Sequence, residues 1–513
     1  MTTTNTTSGR GASRQGSHRA ARQESRLRSP LRDTPWRLTH NPMPPTKILT
    51  PEELAQVDEA SLQIAEAIGI DFMYAPALDL WHQAGAEVDF ANQHVRIPRG
   101  LLRELVAKAP SEFTLRARNP ARNVRLGGNH IVFAQASGMP FVADLQRGRR
   151  EGRLSDTIEA IKLVQMCNPI HMLSGNPVEP QDVPVRLRPL VRLNAFFHHS
   201  DKAVVAGAQN EHIAADCLAM TKAVFGDLDQ PSVMAVVNAN SPLRYDSGML
   251  GGLMAYAAAA QPVVVTPFIL AGAMSPISIA AALAQQNAEA LAGIALMQLV
   301  RPGAPAIYGA FTTNTDMATG GPAFGTPEGA WALLAGAQLA RRYGLPYRGS
   351  GSLNTSKMVD AQAAYETQMS LWPCVMGHTN LVLQAAGWLE GGLVFSFEKF
   401  VVDAEGLAMM QHFLKRPLIN DEELALDFIR EVGPGGHHFG TTHTLARYQT
   451  DFHRSSIADR QNIGTWQENG ALDTAQRATL VWKDLLDHYV QPPLDIAKAE
   501  ALQAIIDQPH RDN

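Results

Sequence analysis

Four histidines, His437, His438, His443 and His453, crowd into "GGHHFGTTHTLARYQTDFHR" (435–454) behind a glycine pair. Such density suggests a metal site, a proton relay, or a histidine-rich loop. A catalytic zinc needs three protein ligands converging at ~2.0–2.3 Å, often His with Cys or a carboxylate. Adjacent His437 and His438 point apart unless the backbone bends, and no HExxH or HxH follows a strand-like run, so the loop reading outweighs the metal one. A second set of residues has a different character. Phe268, Tyr308 and Phe311 fall at or near the ends of apolar runs, with Asn176, Asn194, Gln209, Asn238, Asn240, Met274, Thr312, Asn314, Arg348, Ser350, Ser396 and Glu398 in matching positions. That set holds no Ser-His-Asp arrangement and no carboxylate pair. Aromatic faces with few charges suit a small cationic or zwitterionic ligand, since a desolvated cation–π contact is worth ~2 kcal/mol or more.

The elements that would position these groups follow from periodicity. Short apolar runs recur at 131–135, 170–173, 203–208, 233–239, 262–268, 305–311, 345–351 and 393–397, with helical stretches such as 210–225, 278–300, 327–343 and 360–387 between them. Continuous apolar strands alternating with helices predict a parallel sheet covered by helices. Eight such units predict an α/β fold, a (β/α)8 TIM-type barrel, with its chemistry on the loops after the strands. No GxGxxG and no GxxxxGK[ST] follows a strand, which disfavours an open nucleotide-binding sheet.

The expected organisation is a disordered basic tail (1–45), an N-terminal helical cap (46–129), the barrel (130–470) and a C-terminal helical extension (471–513). The tail carries eight arginines against Glu24 and Asp33, without apolar periodicity. In the cap, Thr50, Pro51 and Glu53 spell a capping box opening a helix, and 98–110 reads as a second. A net charge of −5 over 513 residues predicts no nucleic-acid partner, and no uninterrupted apolar stretch predicts a membrane span. Cys167, Cys217 and Cys374 are far apart, as in a reduced, cytoplasmic protein.

Taken together, "VDAQAAYETQMS" (359–370), "GHTNLVLQAAGWLEGGLVFSFEKFVVDAE" (377–405), "GPGGHHFGTTHTLARYQTDFHR" (433–454) and "ILTPEELAQVDEASLQIAEAIGI" (48–70) resemble the trimethylamine methyltransferase family, over roughly residues 45–470. The resemblance implies a barrel that moves a methyl group from a methylated amine to the cobalt of a separate corrinoid protein. The chain itself would bind no cofactor and no metal; its partners would be the corrinoid (cobalamin) protein and the amine, and it would form a homo-oligomer. Family members acting on trimethylamine carry pyrrolysine at the barrel mouth. This chain has ordinary residues throughout, and the counterpart is expected within about 345–357. Relatives lacking pyrrolysine are thought to demethylate quaternary amines such as glycine betaine. That chemistry requires no acid, base or nucleophile from the protein, so no catalytic residue is expected.

On this footing Phe268, Tyr308 and Phe311 would face the ammonium, and Arg348 or His378 would meet a carboxylate. Gln362 and Glu366, on one helical face, would shape the pocket or brace its helix. Glu398 would neutralise the ammonium or pair structurally, and His443 would face the corrinoid protein. The alternatives are a zinc-dependent barrel enzyme and a barrel that binds a betaine without turnover.

Overall fold

A computed structural model describes residues 30–508 of the chain. Eight strands alternate with eight helices: β1 (His130–Phe133), α1 (Leu154–Met166), β2 (Met172–Leu173), α2 (Arg188–His199), β3 (Ala203–Ala206), α3 (Glu211–Phe225), β4 (Met234–Ala239), α4 (Ser247–Ala258), β5 (Val263–Ala271), α5 (Ile279–Val300), β6 (Ala306–Gly309), α6 (Pro327–Arg342), β7 (Tyr347–Ser350), α7 (Ala361–Met376), β8 (Leu381–Leu383) and α8 (Phe397–Phe413). The strands are parallel neighbours in the order β1-β8-β7-β6-β5-β4-β3-β2. This mixed α/β sheet curls until Ala134, just past β1, meets Met172 of β2 in a single parallel bridge.

Side-chain alternation along each strand splits the apolar residues into two cores. Val132, Met172, Val205, Met234, Val264, Ile307 and Leu381 form the inner one, together with Leu115, Val124 and Leu126 of the hairpin Glu112–Leu115/Val124–Gly127. The outer core lies between strands and helices. Helix α5 is buried continuously from Ala282 to Gln298, because Pro51–Gln63 and Arg99–Val106 cover its far side. Alanine and glycine on every face of α5 permit that approach. The capping box of Pro51–Gln63 forms as expected: Thr50 accepts from the Glu53 N–H, and the Glu53 carboxylate accepts from the Thr50 N–H at 2.8 Å.

Four expectations need correction. The eighth strand is Leu381–Leu383, not 393–397. Gly377 and His378, the latter left-handed at φ 56°, end α7 and start a strand too short to show a period. Val394–Ser396 belongs to a separate sheet, parallel to Phe141–Asp144. The run 305–311 breaks at Ala310, and Phe311–Thr315 pairs with the outer half of β5. The cap is not purely helical, since it contains the strands Ile70–Phe72, Glu87–Asp89 and His94–Arg96.

The last correction concerns the tail. Residues 1–29 lie outside the described residues, but 31–41 pack firmly. Leu31 is 1% exposed, Trp36 and Leu38 close the inner core, and Thr39–His40 pairs with β1. The reason lies in His171. Its Nδ1 accepts the Phe133 N–H at 2.9 Å, so the proton sits on Nε2, which donates to the Arg37 carbonyl at 2.9 Å. Burial pushes the His171 pKa down to about 3. The unfolded chain protonates near pH 6.5, so this contribution is complete above that pH and is lost as pH falls towards 3. Denaturant unfolding at pH 5 is expected to show about 2 kcal/mol less stability from this residue than at pH 7.5. H171N should lack that component.

Candidate substrate site

Along β5 the inward series is Val264, Thr266, Phe268, which runs from apolar floor to aromatic mouth. Phe268 meets Phe311 across the strand pair, with ring centroids 5.1 Å apart. Phe311 also touches Phe324 at 5.8 Å and Trp388 at 6.3 Å, and those two rings lie 5.3 Å apart edge to face. Four aromatic rings thus gather at the C-terminal ends of β5 to β8.

Beneath them is Arg348 on β7. Its guanidinium carbon lies 5.2 Å from the Phe311 centroid, and the residue is 3% exposed. One Nη donates to the Ala310 carbonyl at 3.2 Å, while buried Nε has no partner. Among the described residues no carboxylate pairs with it. Burial lowers its pKa to about 10, so it remains a cation at neutral pH. A buried charge without a counter-ion is costly. Two hydroxyls on the inward face share the condition: Thr266 of β5, and Ser350, two residues beyond Arg348. Both oxygens are buried and unpartnered. The arrangement therefore offers unused hydrogen-bond capacity and one unneutralised positive charge below an aromatic ring cluster.

The loops that carry this cluster are stapled to each other. The Thr355 N–H and hydroxyl donate to Glu366 at 2.6 and 3.1 Å, and Gln362 Nε2 donates to Glu366 at 2.9 Å. Gln362 and Glu366 therefore brace the loop after β7. The Trp388 indole N–H donates to the Asn354 carbonyl at 3.0 Å, and Asn354 Nδ2 returns a bond to the Trp388 carbonyl at 2.6 Å. Behind Trp388, the Gly387 N–H donates to Asp403 at 2.9 Å. Asp403 is paired with Lys399, both fully buried, and Lys399 also donates to Thr367 at 2.9 Å.

The structure brings Phe268, Phe311 and Arg348 together, places Gln362 and Glu366 under the loop after β7, and sets Tyr308, His378, Glu398 and His443 apart. Tyr308 is on the outward face of β6, where its hydroxyl accepts from Gln286 of α5 at 3.3 Å. It packs between sheet and helix, because its neighbour Ile307 takes the inward position. His378 precedes β8 at the opposite end of the sheet, bonded to Asn129 at 3.0 Å, and burial lowers its pKa to about 4. Glu398 is enclosed by donors: the Thr479 hydroxyl at 2.8 Å, the Trp482 indole at 3.0 Å and the Leu145 N–H at 3.3 Å. It anchors Thr474–Asp487 to α8. His443 lies on a short helix, Thr442–Arg447, where its Nε2 accepts from Arg447 at 3.1 Å. His453 pairs with Glu405 at 2.8 Å. Among the described residues no group of three or more His, Cys, Asp or Glu side chains is placed to hold a metal.

Thr266, Phe324 and Trp388 were not singled out by sequence reasoning. Alternation from Val264 to Phe268 was sufficient to find Thr266. The two rings carry no local signal, since their contact depends on loops folding together.

Residues 14–512 match the family model described as trimethylamine methyltransferase (MTTB). The glycine betaine methyltransferase of Desulfitobacterium hafniense strain Y51 is 39% identical, over 91% of this chain and 98% of that protein. The trimethylamine methyltransferase MttB of Desulfitobacterium hafniense strain DSM 10664 is 29% identical, over 89% and 92%. A solved structure, the Methanosarcina barkeri monomethylamine methyltransferase MtmB, aligns with a TM-score of 0.47 and 9% identity, covering 86% of this chain and 94% of that one. The protein is a methyltransferase. It belongs to the trimethylamine methyltransferase family.

Proposed function

We propose that the chain demethylates a quaternary ammonium carrying a carboxylate, of the glycine betaine type, and passes the methyl group to the Co(I) of a separate corrinoid protein. The observation that carries this reading is Arg348, a buried cation with an unpartnered Nε under an aromatic cluster. A substrate carboxylate would neutralise it through charge-assisted hydrogen bonds, with the Thr266 and Ser350 hydroxyls as further donors. The trimethylammonium end would then lie against Phe268, Phe311, Phe324 and Trp388, which attract a positive charge without forming a bond to it. The higher identity to a glycine betaine methyltransferase than to the trimethylamine enzymes supports the same choice.

The fold that would present this site is a closed (β/α)8 barrel, supported by the strand order and the Ala134–Met172 bridge. A partner over the mouth would reach the methyl carbon from solvent. In the transfer the C–N bond breaks, its electron pair stays on nitrogen as a neutral tertiary amine, and the methyl carbon takes the electron pair of Co(I). The side chains of this protein hold the methyl in line and exclude water; none need move a proton. The three cysteines are free and buried, which suits a cytoplasmic protein.

The test mixes the protein, a reduced corrinoid protein and a panel of methylated amines, with methyl–cobalt formation followed by absorbance. Glycine betaine is expected to react and trimethylamine to remain inert. Reaction with trimethylamine alone would overturn the substrate assignment, and reaction with none would overturn the activity.

A further inference from the structure

We infer that Arg192, Gly175 and Ser137 form an oxyanion subsite at the C-terminal ends of β1 and β2, separate from Arg348, for a small carboxylate or phosphate. The chain just past these two strands builds it. Gln135 Nε2 donates to the Gly175 carbonyl at 3.3 Å, the Gly138 N–H to the Asn176 carbonyl at 2.7 Å, and the Glu179 N–H to the Met139 carbonyl at 2.8 Å. These bonds fix the backbone at Gly175 and bring Ser137 alongside it. A Cβ on Gly207, just past β3, would stand 2.9 Å from Pro189 in the first turn of α2. The bare glycine lets α2 close in, and Arg192, three residues on and on the same helical face, reaches the loop after β2.

A Cβ on Gly175 would lie 3.3 Å from Ser137 Oγ and 3.7 Å from Arg192 Nη1. Since residue 175 has none, a notch remains between a hydroxyl and a guanidinium. Arg192 is 6% exposed, and its buried Nε has no partner. Among the described residues it forms no hydrogen bond and no ion pair; the Phe196 ring lies 5.9 Å away. Glu179, whose charge reaches Arg192, is bound instead by Asn176 Nδ2 at 2.8 Å. Burial lowers the Arg192 pKa, yet an arginine stays protonated at neutral pH. A buried charge left unpaired is costly, and one ring at that distance recovers little of the cost. Gly175 and Ser137 are half-buried and Gly138 is exposed, so the notch opens to solvent. An oxyanion seated there accepts charge-assisted N–H bonds from Arg192 and an O–H bond from Ser137. In the strand order β2 stands three strands from β7, at ~4.8 Å per strand, so one small anion does not serve both arginines.

The test titrates inorganic phosphate and acetate calorimetrically into the full chain, with R348M as the reference so that the substrate-side cation is absent. R348M is expected to bind one anion per chain, and R348M/R192M to bind it at least ~30-fold more weakly. R192K in the same background keeps the charge and should retain part of the affinity, while S137A should weaken binding about 5-fold. Phosphate bound more tightly than acetate assigns a phosphate ester to the notch; the reverse assigns a carboxylate. The anion should raise the melting temperature of R348M and not that of R348M/R192M. Without anion, the R192M change should leave melting unchanged or raise it, and R192M alone should bind glycine betaine as wild type does. An R348M chain indifferent to both anions, or anion binding that survives R348M/R192M, would overturn the inference. So would melting lowered by R192M in the absence of anion, which makes Arg192 structural, or betaine binding lost in R192M with melting unchanged, which assigns it to the substrate.

Discussion

R348A is expected to lose betaine-dependent methyl transfer by about 30- to several-thousand-fold in kcat/KM, the equivalent of the 2–5 kcal/mol lost when one partner of a buried, hydrogen-bonded charge pair is removed. The loss should be dominated by substrate binding, because Arg348 is placed for the carboxylate and not for the methyl carbon. R348K keeps the charge but loses the planar fork, and should retain only part of the activity. A second readout separates function from folding. Without ligand, Arg348 is a buried cation with one unpartnered nitrogen and, among the described residues, no counter-ion. Replacing it by an apolar side chain of similar length, R348M, is expected to leave the melting temperature unchanged or raise it, by about 1–3 kcal/mol equivalent. Loss of activity with a gain in stability identifies a residue kept for its ligand. Loss of both would make it structural.

The second large effect concerns the pair behind Trp388. Burial lowers the Lys399 pKa and raises that of Asp403, while their mutual attraction opposes both shifts. Removing one member leaves the other charge buried and unpaired, so K399M is expected to destabilise the protein by about 3–5 kcal/mol in denaturant unfolding. The double variant K399M/D403L should recover more than half of that loss. It should not recover the site, because the Gly387 N–H still lacks its acceptor and the Gly387–Trp388 turn loses its anchor. A raised KM for betaine in the double variant, with stability mostly restored, is the expected signature. If the double variant regains both, the pair is a packing device without bearing on the ring cluster.

The sequence disclosed the alternation of strands and helices because the strands are runs such as Val263–Val265, whose character survives any tertiary context. It concealed β8, since Leu381–Leu383 is only three residues long and lies beyond the four-residue turn 377–380 that follows α7. The rule that chemistry follows the strands selected Phe268, Phe311 and Arg348. It also selected Tyr308, because the face a strand residue takes depends on a one-residue parity that position alone does not reveal. Glu398 was misleading for another reason. Its donors Thr479 and Trp482 are 81 and 84 residues away, and no local pattern announces a partner at that distance. The histidine cluster was eye-catching by composition, yet His443 is held by Arg447 one helical turn away and His453 by Glu405, 48 residues back in α8.

The central claim is that Arg348 is neutralised by a substrate carboxylate. Calorimetric titration of glycine betaine and of choline, which has the same trimethylammonium group and no carboxylate, into wild type and R348A tests it most directly. Wild type is predicted to bind betaine at least ~30-fold more tightly than choline, and R348A to bind the two about equally. Equal binding by wild type, or a betaine preference that survives R348A, would contradict it.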